Sequence, residues 1–88
     1  MDIQFDADKA KSNLKKHGIS FSEAATALLD ENALVMEDTD SEGESRWILV
    51  GMSSQARLLT VIYTLRREES IRLISARKAA KKEVEYYA

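Results

Sequence analysis

The chain contains no cysteine and no proline. Without cysteine there is no disulfide framework, no thiolate nucleophile and none of the sulfur ligands of a structural zinc site. One histidine and scattered carboxylates are the metal ligands that remain. We therefore expect no metal and no other cofactor. Without proline the strongest breaker is missing, so element boundaries read from sequence are soft by a few residues. No apolar run approaches the ~20 residues that cross a bilayer, and no membrane role is expected. The opening Met-Asp-Ile-Gln-Phe-Asp lacks the basic start and apolar stretch of a secretory signal. The expected location is the cytoplasm.

What is present suits a globular domain. Hydrophobic residues make up 44% of 88 residues, enough to fold, and the length allows one domain over residues 1–88. A chain this short buries a modest share of its surface, so its stability should be marginal. The net charge of −2 alone argues against a nucleic-acid partner. Its distribution argues the other way. Residues 2–44 carry eleven acids against four lysines, whereas residues 45–88 carry nine basic residues, six of them arginine, against four glutamates. Such asymmetry suggests a polyanion partner, or two halves that neutralise each other across the fold.

Helix signals come first. Asp6 reads as an N-cap, Lys15 and Lys16 as the basic last turn, and Gly18 as the stop. Ala10, Leu14 and His17 fall on one helical face. Ser20-Phe21-Ser22-Glu23 is a capping box opening a second helix, with Ala24, Ala25, Leu28 and Leu29 inward and an end near residues 30–32. Ile3 and Phe5 alternate with polar residues and fit a short strand. Strands are then predicted over 33–36, 47–52, 58–64 and 70–74. An acidic turn over 37–44, a hairpin connection over 53–57 and a charged turn over 66–69 separate them. Short loops between successive strands imply an antiparallel meander. Ser75 reads as the cap of a final helix over about 76–87, with Ala80, Val84 and Tyr87 as its buried stripe. The expected fold class is α+β: a small antiparallel sheet packed with an N-terminal helical pair and a C-terminal helix.

Chemistry gathers near that final helix. Arg77 and Lys78 would sit in its first turn, at the positive end of the helix dipole, where cations are unfavourable unless an anion binds. Arg72, alternating with Ile71 and Leu73, would point to the same edge. Lys81 and Lys82 extend the basic face, or form a solvated face with a Lys81–Glu85 pair. His17 is the only histidine, the residue type that usually serves as general base, or else a partly buried structural residue or a helix-end charge. Glu83 borders the stripe and would orient a cation or stay exposed. Trp47 and Tyr63 read as core residues or as stacking platforms.

The stretch Asp6-Ala7-Asp8-Lys9-Ala10-Lys11-Ser12-Asn13-Leu14-Lys15-Lys16-His17-Gly18-Ile19-Ser20-Phe21 resembles the opening motif of the BrnT family. Leu59-Thr60-Val61-Ile62-Tyr63-Thr64 resembles its penultimate strand, and Ile71-Arg72-Leu73-Ile74-Ser75-Ala76-Arg77 with Glu83 and Tyr87 its closing motif. Phe5 stands where the family usually has tryptophan. The resemblance implies a RelE-like fold and a ribonuclease toxin of a type II toxin–antitoxin pair, inhibiting translation without a metal. It implies a BrnA-type antitoxin as partner, a 2:2 complex, and operator DNA bound only through the antitoxin. On that footing Arg72 and Arg77 would stabilise phosphorane charge, and His17 or Glu83 would accept the proton. Lys78, Lys81 and Lys82 would bind RNA, and Tyr63 or Tyr87 would position it. The alternative is a catalytically silent module that binds antitoxin or nucleic acid.

Overall fold

The computed structural model describes residues 2–39, 43, 45–66 and 70–87. Along the chain these form β1 (Asp2–Gln4), α1 (Ala7–His17), α2 (Phe21–Ala27), β2 (Leu34–Asp38), β3 (Arg46–Met52), β4 (Leu58–Arg66), β5 (Ser70–Lys78) and α3 (Lys81–Tyr87). Of the two expected turns, residues 40–42 and 44 of the first and 67–69 of the second lie outside the described residues.

The helix signals hold at both ends of α1. The Asp6 carboxylate accepts from the Asp8 N–H at 2.9 Å, and Gly18 at φ 73° returns its N–H to the Leu14 carbonyl. That left-handed φ suits glycine. At α2 the Ser20 hydroxyl accepts from the Glu23 N–H at 3.0 Å. The other half of the expected box does not form, because the Glu23 carboxylate is bound by Ser53 and Arg57. α2 also ends earlier than expected, at Ala27, which leaves Leu29 77% exposed. On α1 the buried residue is Asn13; Ala10 packs partly buried against the core as expected, while Leu14 is exposed.

The sheet runs β1-β5-β4-β3-β2. β2 through β5 form the expected antiparallel meander. β1 adds to β5 in parallel, so the sheet is mixed. α1 and α2 cover one face. Their core joins Ile19, Phe21, Ala24 and Ala27 to Leu49, Leu59, Val61, Tyr63, Ile71, Leu73 and Ala76. Gly51 permits the closest approach, since a Cβ there would lie 2.8 Å from the Ala27 carbonyl oxygen.

The largest departure from the sequence reading is at the C-terminus. β5 continues to Lys78 and α3 begins only at Lys81. Ser75 is therefore a strand residue rather than a cap, and Arg77 and Lys78 are not at a helix N-terminus. The run Ser-Ala-Arg-Lys-Ala-Ala is rich in helix formers, yet pairing with Leu59 through Ile62 on β4 holds it extended. Tertiary context outweighs local propensity here. The expected stripe of α3 is also absent. No residue of that helix is buried; Ala80 and Val84 are exposed and Tyr87 is half-buried.

Candidate active site

Residues paired across strands share a sheet face. On the face away from α1 and α2 the registers line up transverse rows, three of which span β2 to β5. The first is Leu34–Val50–Thr60–Arg77, the second Met36–Ile48–Ile62–Ser75 and the third Asp38–Arg46–Thr64–Arg72, with Gln4 beyond Arg72. α3 lies over the first row, where Val50 and Thr60 are fully buried. The second row is apolar except for Ser75. The third is polar and cationic.

Glu83 holds α3 against the first row. Its Oε1 accepts from Arg77 Nη1 at 2.7 Å, from the Thr60 hydroxyl at 2.9 Å and from the Ala80 N–H at 2.6 Å. Its Oε2 accepts from Arg77 Nη2 at 2.9 Å. The Arg77 guanidinium, chiefly, lowers the Glu83 pKa to about 2, and Glu83 in turn raises that of Arg77. A carboxylate so placed is a weak base, and its arginine is already neutralised. Tyr87 is engaged too. Its hydroxyl donates to Asp30 Oδ2 at 2.5 Å, and the same oxygen accepts from the Met52 N–H at 2.8 Å.

Arg72 is different. It lies on the same face as Arg77, but their β4 partners Thr64 and Thr60 are four residues apart, about 13 Å along a strand. The expected cluster of Arg72, Arg77 and Lys78 at one edge is thus spread over two rows. Lys78 pairs with Leu59, at the exposed end of β5 and opposite in phase to Arg77. Arg72 forms no ion pair among the described residues, whereas Arg57 is spent on Glu23 and Arg77 on Glu83. Beside Arg72 the Thr64 hydroxyl is buried and has no hydrogen-bond partner among the described residues. Arg46 flanks Thr64 on the other side and is exposed.

His17, half-buried at the end of α1, lines a groove with Lys9, Lys16, Ile74 and Ser75. Asn13 fixes this geometry. Its carboxamide bonds the Ala76 backbone and the Ile19 carbonyl, pinning α1 to the free edge of β5. The groove thus lies between α1 and the edge of β5, and Ser75, which belongs to the second row, is its residue nearest in register to Arg72. Tyr63, by contrast, is 8% exposed within the helical-face core, and burial raises its pKa. It faces away from Arg72. Lys81 and Lys82 are exposed on α3.

The structure thus brings Arg77 and Glu83 into contact, sets His17 in a groove between α1 and the edge of β5 at Ser75, buries Tyr63 on the face opposite Arg72 and bonds Tyr87 to Asp30. Sequence reasoning missed Arg46, Thr64 and Asn13. Alternation along β3 could have put Arg46 on a face with Ile48 and Val50. Only the registers of three strands place it in the same row as Arg72, across Thr64.

Comparison with known proteins agrees with this architecture. Residues 5–83 match the family model described as "Ribonuclease toxin, BrnT, of type II toxin-antitoxin system". The crystal structure of the Brucella abortus ribonuclease toxin BrnT superposes with a TM-score of 0.71 at 25% sequence identity, covering 92% of this chain and 99% of that one. No curated protein sequence matches.

Proposed function

The chain belongs to the BrnT family of ribonuclease toxins of type II toxin–antitoxin systems, and from that premise we propose that it cuts RNA itself, without a metal, on the open face carrying Arg72. In the proposed reaction a ribose 2′-oxygen attacks the adjacent phosphorus, the bond to the 5′-oxygen breaks, and a cyclic phosphate is left. A base takes the 2′-hydroxyl proton and the departing oxygen gains one. The phosphorane carries more charge than the ground state, so a fixed guanidinium beside it lowers the barrier. Arginine suits this because its planar fork matches two phosphate oxygens.

The observation that supports the reading is Arg72 itself, on the face away from α1 and α2, without an ion pair among the described residues and beside the buried Thr64 hydroxyl. In this scheme Arg72 stabilises the phosphorane and Arg46 holds a neighbouring phosphate. His17, in the adjoining groove, accepts the proton. Arg77 and Glu83 act on each other and keep α3 in place. Lys78, Lys81 and Lys82 supply weaker, solvated attraction for the RNA backbone.

A BrnA-type antitoxin would neutralise the protein by covering this face. The third row offers cations to its carboxylates. The adjoining Met36, Ile48 and Ile62 offer apolar contact, and Met36 is 42% exposed. Complementary charge would speed association. A 2:2 complex follows if the antitoxin reads a two-fold operator as a dimer. One observation favours the silent-module reading: two of the four candidate catalytic groups, Arg77 and Glu83, are bonded to each other. Cleavage of RNA by purified protein in excess chelator, lost in Arg72→Ala, supports the enzyme. Intact RNA with retained antitoxin binding supports the module.

A further inference from the structure

The sheet has two outer strands, β1 and β2. β1 has three residues. Where β5 extends past β1, the Asn13 carboxamide takes both the N–H and the carbonyl of Ala76. That free edge is therefore closed by a side chain. β2 is treated otherwise. It has five residues, no strand beyond it among the described residues, and an apolar start of Leu34-Val35-Met36. Val35 is 50% exposed on one face and Met36 42% on the other. An exposed strand edge with apolar side chains is a template for another strand.

Charge selects the occupant. No lysine or arginine occurs in the sequence between Lys16 and Arg46, while Glu31 precedes β2 and Glu37 lies within it, both exposed. Two copies of this edge side by side would bring like charges together, which disfavours self-pairing. An extended segment with lysine or arginine alternating with apolar residues would meet opposite charge and keep its main-chain bonds. We propose that the outer edge of β2 is a strand-addition site for an extended, Lys/Arg-bearing segment of another protein. This site lies at the edge of the sheet, separated from β5 by two strands, and it takes the opposite charge from the Arg72 row. The inference does not depend on RNA cleavage.

The test uses the full chain and three nine-residue peptides: one alternating lysine with valine, one alternating glutamate with valine, and the lysine peptide with proline at two central positions. Amide exchange locates binding, and titration at several salt concentrations measures it. The expected result is slowed exchange within residues 34–38 by the lysine peptide, weakening as salt rises. The glutamate peptide should bind at least about tenfold more weakly, and the proline peptide should not bind, because proline cannot donate to a ladder. Glu37→Lys should reverse the preference between the two charged peptides. Equal binding of both, protection over residues 70–78 instead, or no binding would overturn the proposal. So would protection of 34–38 that grows with chain concentration and no peptide, which would make a second copy the occupant.

Discussion

The side chain of Asn13 meets the backbone of Ala76 as a neighbouring strand would: Nδ2 donates to the carbonyl at 2.8 Å and Oδ1 accepts from the N–H at 3.0 Å. The residues are 63 apart in sequence. Asn13→Ala leaves both buried groups, and the Ile19 carbonyl, without their partner. Each unsatisfied buried group costs about 1–3 kcal/mol, so we expect a loss of about 3 kcal/mol in denaturant unfolding. Asn13→Asp restores acceptance but not donation, and should also fall below the parent. An unchanged midpoint for both would show that water replaces the amide.

The Glu83–Arg77 pair predicts a specific acid sensitivity. The folded pKa of Glu83, about 2, lies below its ordinary value of 4.5. The stabilisation is therefore complete above about pH 4.5 and is lost as pH falls toward 2. Arg77 is 39% exposed, so solvent screening reduces the effect to about 2 kcal/mol. Glu83→Gln should be less stable than the parent at neutral pH and should flatten the stability curve between pH 5 and 2. Parallel curves for the two proteins would contradict the assignment.

Arg72→Ala should fold and lose RNA cleavage by about 100-fold or more, the usual cost of removing a donor to developing charge. Arg46→Ala should act on binding instead, lowering the salt slope by about 0.7, the single-strand value per phosphate contact. His17→Gln should lower turnover and alter its pH profile. Full growth arrest by well-folded Arg72→Ala would place the site elsewhere.

Tyr87 holds the last turn of α3 to Asp30 through one hydroxyl. That hydrogen bond also lowers the Asp30 pKa and raises that of Tyr87. Because α3 buries none of its residues and Glu83 still anchors its first turn, Tyr87→Phe should loosen the last turn of the helix without unfolding the sheet. Amide exchange should accelerate toward residue 87 and stay constant over β3 to β5. A global loss of protection would mean that α3 is part of the cooperative core.

Local signals were legible wherever a residue acts on its own backbone. Asp6, Gly18 and Ser20 mark helix ends by chemistry that needs only their immediate neighbours, and the apolar runs of β3 and β4 needed no partner to be recognised. The end of β5 was misread because Ala76, Ala79 and Ala80 favour helix while the force that extends the segment comes from β4. Of the candidate site, Arg72 and its face were readable from alternation with Ile71 and Leu73. The Arg77–Glu83 contact was not, because it depends on where α3 starts. Nor was the row of Arg46, Thr64 and Arg72, since register between strands is not written in any one of them.

Between Ile62 and Tyr63 the β4–β5 register slips by one, leaving Ile74 without an opposite number. Arg72 and Arg77 are five positions apart, an odd interval that would send them to opposite sides of a regular strand. The extra residue resets the count, so both arginines reach the same side while Leu73 and Ala76 both reach the core. Deleting one residue between them would remove the bulge and leave an even interval of four, so a regular strand would still present both arginines on one side. Deleting two would leave an odd interval with no extra residue to absorb it, and would exchange the inside and the outside of everything beyond, turning Arg77 toward Phe21 and Ala24 and Ala76 toward α3. The spacing between these arginines behaves like a reading frame counted in twos, in which Ile74 is the one residue that can be skipped.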